Sequence, residues 1–348
     1  MIHTKSVLRL FALFALAASA AAAAPDAAAV RRAKEQLARF TPEAARRCMA
    51  DLKANPKYDY AKHNAAVEAL IANLDATKSA LEKGDDAAKA AAVARVAAYR
   101  AAMLANPILD FDRILCVHRR IGNARSAFGG RGSGMTGLNA ENHMVAPRTG
   151  FENEIGVLSD LRGTPKFTPL YKPADKTSIV RDIDLDFDAS RILFTGYKGT
   201  NNLFGVYEIK ADFSKLSKEM PYQTPELVSP EDGKYDIQWW DGCYLPNSDQ
   251  VVMLGTAAYQ FLPCEDGNMP MAVIYRKDRK TGEVRQLTYE QDSDYTPSIT
   301  HDGRILYTRW EYSDQPHYWS RVLMTMNPDG IGQLSVWGSN SYVPTFFY

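Results

Sequence analysis

The sequence predicts an all-β propeller preceded by a small α-helical region, and three observations predict it. After Pro107 the chain is a succession of short strand-like runs separated by turn residues, with no long helical pattern between them. A strand–turn–strand–turn–strand pattern recurs there: its turn-to-strand points near Arg191, Gln250 and Arg304 lie 59 and 54 residues apart. Before Pro107, by contrast, Ala, Lys, Glu, Leu and Arg dominate, and these are strong helix formers.

The N-terminus comes first. Lys5 and Arg9 give a charged start, Leu10 to Ala18 is apolar, and Ser19 to Ala24 supplies small residues before Pro25. Residues 1–24 therefore read as a secretory signal peptide, which places the mature chain in the periplasm or outside the cell. No later stretch reads as a membrane-spanning helix.

Residues 25–106 form the alanine-rich helical region. Thr41 before Pro42 is a cap followed by a proline at the first helical position. Val67, Leu70, Ile71, Leu74 and Leu81 fall near a 3.6-residue period, Gly84-Asp85 marks a turn, and Val93, Val96, Ala97 and Leu104 continue the pattern. Three or four helices are expected, with His63 on their surface.

Residues 107–348 form the propeller. The expected strands are Ile114 to Val117, Ile155 to Leu158, Ile192 to Thr195, Val206 to Ile209, Val251 to Leu254, Ala272 to Tyr275, Ile305 to Thr308 and Val322 to Met326. The repeats open with "DIDLDFDASRILFTGYKG", "WWDGCYLPNSDQVVMLGTA" and "DYTPSITHDGRILYTRWEY", and a polar return strand is clearest in "EVRQLTY". Asp302-Gly303 is a hairpin turn, since both residues tolerate positive φ. A weaker first repeat runs from "FDRILCVHRR" to "GVLSDLRGTPKFTPLY" around a long glycine-rich insertion that carries no phosphate-loop motif. One small sheet cannot bury both faces alone, but stacked sheets bury each other. At the C-terminus, Tyr342-Val343-Pro344 echoes Tyr295-Thr296-Pro297, 47 residues earlier. It reads as the opening of a further blade, so a truncated propeller is expected, and pairing of this end with the first blade is the alternative.

Composition narrows the function classes. Lys plus Arg and Asp plus Glu each number 41, which leaves no electrostatic footprint for nucleic acid. The four cysteines are Cys48, Cys116, Cys243 and Cys264, and no C-x-x-C occurs, so there is neither a redox pair nor a covalent haem-attachment motif. Export permits disulfides, and Cys243 with Cys264, 21 residues apart within one repeat, is the expected bridge; two buried thiols are the alternative.

The densest polar cluster is Arg309, Glu311, Asp314, His317, Tyr318 and Arg321. Glu311, Asp314 and His317 offer oxygen and nitrogen ligands to a divalent metal, the one cofactor the sequence suggests, while Arg beside Glu and Asp equally describes structural ion pairing between blades. Asp182, Asp184, Asp186 and Asp188 alternate, which in a regular strand puts four carboxylates on one face. Tyr235, Trp239, Trp240 and Tyr244 form an aromatic patch fit for inter-blade packing or for binding a sugar or protein. His118 and His143 flank the glycine-rich insertion. No nucleophile elbow is present, and no residue is assigned as catalytic.

Several of these stretches carry a resemblance. "HDGRILYTRWEY", "PHYWSRVLMTMNPDG", "WGSNSY", "DGCYLPNSDQVVM" and "TAAYQFLPCEDG" resemble the propeller region of proteins related to the alpha subunit of hydrazine synthase, and "HDGRILYT" and "MNPDG" more distantly resemble the repeats of periplasmic TolB. The resemblance runs from Phe111 to Tyr348 and implies a secreted propeller. The expected function is an exported binding or assembly module without catalysis of its own, whose partner is another exported protein or a missing C-terminal region. The alternative is a subunit or fragment of a redox or metal-dependent enzyme of the hydrazine synthase alpha type.

Overall fold

The protein is described here by a computed structural model. The structure describes residues 25–120, 152–173, 179–198, 203–213, 223–231, 235–262, 270–311 and 321–338. Residues 1–24, the glycine-rich insertion and the last ten residues lie outside them. Two compact units divide the chain, one made of residues 1–112 with 162–164 and the other of residues 113–161 with 165–348.

Among the described residues the first unit holds five α-helices, one more than the upper expectation from sequence: α1 (Ala27–Ala38), α2 (Pro42–Leu52), α3 (Tyr60–Ala72), α4 (Leu74–Lys83) and α5 (Asp86–Leu104). Asp26, Asp59 and Asp85 cap α1, α3 and α5 by accepting backbone N–H bonds from Ala28, Lys62 and Ala88. Thr41 makes no side-chain cap, and Pro42 alone sets the start of α2. Ala33, Leu37, Leu70, Leu81, Ala92 and Val96 form one small core; Met49, Leu52, Tyr58, Val67 and Ala102 form a second. His63 is half-buried, with its ring 4.9 Å from that of Tyr58, rather than free on the surface. Among the described residues no helix is long and apolar enough to cross a membrane.

Among the described residues the second unit forms four small antiparallel sheets. The first has three strands, β1 (Ile114–Arg120), β2 (Glu152–Ser159) and β3 (Lys166–Tyr171), in that order. The second is β4 (Arg181–Leu185), β5 (Arg191–Lys198), β6 (Leu203–Lys210) and β7 (Glu226–Leu227); the third is β8 (Trp239–Tyr244), β9 (Gln250–Gly255), β10 (Val273–Asp278) and β11 (Val284–Gln286). The fourth is β12 (Asp294–Ile299), β13 (Ile305–Trp310), β14 (Arg321–Met326) and β15 (Leu334–Trp337). Every neighbour is a chain neighbour, so each sheet is a meander. The expected propeller is met at the level of its repeating unit.

Alternation along the central strands stacks the sheets in chain order. In β5, Ile192 and Phe194 join Ile155 and Leu170 of the first sheet, while Leu193 joins Trp239, Val251 and Met253 of the third. In β9, Val252 and Leu254 turn the other way and meet Ile305, Tyr307 and Met324 of the fourth sheet. Both faces of β9 are thus buried, and the expected aromatic patch divides the same way: Trp239 and Trp240 sit in different cores. Close approach fixes one residue identity. A Cβ at Gly242 would lie 2.6 Å from Cγ1 of Val206 in the neighbouring sheet. At the hairpin between β12 and β13, Gly303 supplies φ 83° as the sequence requires.

Buried charges within the stack are paired. Arg309 donates to Asp294 at 3.1 Å, its guanidinium lies 2.8 Å from Glu290, and it also donates to the Tyr307 hydroxyl at 3.1 Å. Arg321 stacks 4.3 Å over Trp310. These two arginines of the sequence cluster are therefore structural. Burial raises Asp294 to about 6 against the opposing pull of Arg309, with Glu290 adding to the rise.

Two predictions follow from this packing. Gly242→Ala forces Val206 aside and lowers unfolding free energy by about 1–3 kcal/mol in urea titrations. For Asp294, the folded state holds the proton more tightly than the unfolded chain, so its contribution is present below pH 4 and is lost as pH rises through about 6. As pH falls from 7 to 4, the stability of wild type relative to Asp294→Asn therefore rises by about 2 kcal/mol, measured by chemical denaturation across that range.

Candidate functional site

The first strands of the second, third and fourth sheets, β4, β8 and β12, run beside one another and share one irregularity. In each, the ladder skips a position: between Arg181 and Asp184, between Trp240 and Cys243, and between Tyr295 and Ser298. The first residue of each bulge is left-handed: Asp182 at φ 51°, Asp241 at 49° and Thr296 at 47°. Aspartate tolerates that region well, whereas for β-branched Thr296 it is a strained outlier. Spacings of 59 and 55 residues make the three positions equivalent in the repeat.

These bulges line a cavity of about 470 Å³. Its polar lining includes Asp182, Asp184, Asp241 and Ser298, and Leu185 and the 65 %-exposed Phe187 give it an apolar rim. The acidic groups differ in their partners. Arg181 lies 2.5 Å from Asp182 and 3.7 Å from Asp241. Burial pushes the Asp182 carboxyl up, but Arg181 and its hydrogen bonds outweigh this and hold it below the usual range. Asp184 accepts the Tyr244 backbone N–H at 2.9 Å, and no cationic side chain pairs with it among the described residues. Burial raises its carboxyl, the Tyr244 N–H works against this, and nearby Asp186 adds to the rise.

The alternating run Asp182 to Asp188 is not one strand face. The bulge interrupts it after Asp182, and Asp186 leaves the strand to organise the turn into β5. It accepts from the Ser190 N–H at 2.7 Å, the Ser190 hydroxyl at 2.9 Å and the Arg191 guanidinium at 2.8 Å.

The expected Cys243–Cys264 disulfide is overturned. Cys243 is a free thiol packed with Trp240, Val252 and Leu254, and no disulfide occurs among the described residues; Cys264 lies outside them. Its place beside the bulge aims it into the stacked core. Burial, then Asp184 and Asp241, push its thiol well above the ordinary value, so it stays protonated and is not a nucleophile.

Of the expected metal ligands, Glu311 is half-buried just beyond β13, while Asp314 and His317 lie outside the described residues, as does Tyr318. Among the described residues no group of three or more His, Cys, Asp or Glu is arranged to hold a metal. His118 meets Glu154 across β1 and β2 at 2.8 Å, and His143 lies outside the described residues. Of the aromatic patch, Tyr244 donates to Glu208 at 2.7 Å inside the stack, and Tyr235 is exposed with its ring 5.4 Å from Tyr259. The cavity itself was not read from the sequence. Part of its signal was there as φ-tolerant Asp182 and Asp241, 59 residues apart at the repeat spacing; Thr296 before Pro297 carries no such signal.

No protein-family model matches the chain, and no curated protein matches it significantly in sequence. Solved structures give remote likenesses. A protein described as a TolB from Agrobacterium tumefaciens is 15% identical at TM-score 0.38, over 53% of this chain and 57% of that one. TolB from Acinetobacter baumannii is 14% identical at TM-score 0.36, over 54% and 38%. Kuenenia stuttgartiensis hydrazine synthase is 13% identical at TM-score 0.44, over 65% and 32%. The chain thus spans between about a third and somewhat over half of the length of these structures.

Proposed function

We propose that this chain is an exported binding module of propeller type, without catalysis of its own, and that the cavity between β4, β8 and β12 receives a group from another exported protein. The leader-like residues 1–24 support export. The observation that carries the binding role is the cavity itself, together with the Asp184 carboxyl on its wall that no cation pairs with among the described residues. An apolar rim at Leu185 and Phe187 beside that carboxyl suits a side chain with an aliphatic stem and a cationic, donor-bearing head, such as lysine or arginine. Cys243 is buried and protonated and contributes shape rather than reactivity.

Thermal melts of the purified protein with lysine amide and arginine amide test this reading. At about 100 times its dissociation constant a bound ligand stabilises by about 2.7 kcal/mol, which raises the melting temperature by roughly 5–10 °C. The rise is expected for wild type and lost in Asp184→Asn. An absent rise, or an equal rise in the variant, contradicts the site. Stoichiometric haem or transition metal in the purified protein contradicts the non-catalytic role.

A further inference from the structure

Arginine, carboxylate and aromatic ring form a unit that recurs through the sheets. Arg181 pairs with Asp182 at 2.5 Å and lies 5.6 Å over the Phe204 ring. Arg191 pairs with Asp186 at 2.8 Å and lies 5.3 Å over Tyr244. Arg309 pairs with Asp294 at 3.1 Å and lies 5.3 Å over Tyr307. In each unit a carboxylate takes an N–H edge of the guanidinium and a ring takes its face. Among the described residues of the sheets, every cation over a ring is an arginine. A planar guanidinium serves both partners at once, donating in its plane while its weakly hydrated faces stack. The compact, strongly hydrated ammonium of lysine has no such face.

The cavity between β4, β8 and β12 holds two parts of this unit without the third. Asp184 and Phe187 both line it. Asp184 accepts the Tyr244 N–H through Oδ2 at 2.9 Å, and a carboxylate has capacity for further donors. Among the described residues no cationic side chain pairs with Asp184 and none lies over Phe187. Arg181 is committed to Asp182 and Asp241 and does not compete for this place.

Phe187 is also held ready. It belongs to the turn between β4 and β5, where the Asp186 N–H donates to the Arg191 carbonyl at 3.0 Å and the Ala189 N–H donates to the Asp186 carbonyl at 2.9 Å. With the Asp186 carboxylate bonded to Ser190 and Arg191, the backbone on both sides of Phe187 is fixed. The ring itself stays 65 % exposed, so its face is open to a ligand.

We infer that this cavity selects arginine over lysine, with the incoming guanidinium bonded along its edge to Asp184 and stacked by its face on Phe187. The inference rests on the binding role proposed above and names the residue that sets its specificity. The partner is then an exported protein that presents an arginine.

Isothermal titration calorimetry of the purified protein with Nα-acetyl-arginine amide and Nα-acetyl-lysine amide tests it. Acetylation neutralises the α-amine, so the side chain supplies the only positive charge. Wild type is expected to bind the arginine probe about tenfold more tightly than the lysine probe. Phe187→Leu keeps the rim apolar but removes the ring face. It is expected to bring the two affinities within about twofold, chiefly by weakening arginine, and Phe187→Trp is expected to keep the preference. The exposure of Phe187 means that neither substitution disturbs a packed core. Equal binding of the two probes by wild type, or a preference that survives in Phe187→Leu, overturns the selection of arginine and leaves the binding role of the cavity standing. Binding of neither probe overturns both.

Discussion

The second and third sheets bury apolar residues on both faces, and that constraint governs the rest of the structure. A meander of three or four short strands has no interior of its own, so it becomes stable only when another sheet covers each face. Val251 and Met253 on one side of β9, with Val252 and Leu254 on the other, show this directly, since all four are fully buried in two different cores. Apolar contact supplies cohesion but little direction. Register between sheets comes instead from the polar junction at the inner strands. Arg181 lies between Asp182 and Asp241, the Asp241 N–H reaches the Thr195 hydroxyl at 3.1 Å, and Asp184 accepts the Tyr244 N–H.

The same junction produces the cavity. A regular strand would send Asp182, Asp241 and Thr296 to one face or the other of its sheet. The bulges twist the three inner strands and place these residues on a common wall. Arg181 is consumed in holding Asp182 and Asp241, which leaves Asp184 as the carboxyl with capacity to accept from a ligand. The backbone strain at Thr296 is the local cost of that arrangement.

What the sequence revealed and what it hid divide along a physical line. Central strands such as β5, β9 and β13 bury both faces, so they read as unbroken apolar runs, and all eight expected runs fall within or overlap strands. The inner strands β4, β8 and β12 carry aspartate, glycine and proline at their bulges, which break the period of two and disguise them as turns. The bulge also explains why the four alternating aspartates do not share a face, since the alternation argument assumes a regular ladder. Sequence separation alone suggested a bridge at Cys243, but it could not show that the thiol points into a stacked core beside Trp240. The arginines were legible as ion-pair partners; Arg309 faces Asp294 across the β12–β13 ladder, and only the burial of that pair depends on stacking that no local pattern encodes.

The central claim is that the inner-strand junction couples the second sheet to the third. A double-mutant cycle on Arg181→Met and Asp241→Asn, read by urea unfolding of the whole protein, tests it most directly. A buried, connected pair in one network predicts a coupling energy of about 1–3 kcal/mol. Effects that add to within about 0.5 kcal/mol would mean that the two sheets are held by apolar contact alone, and would contradict the account.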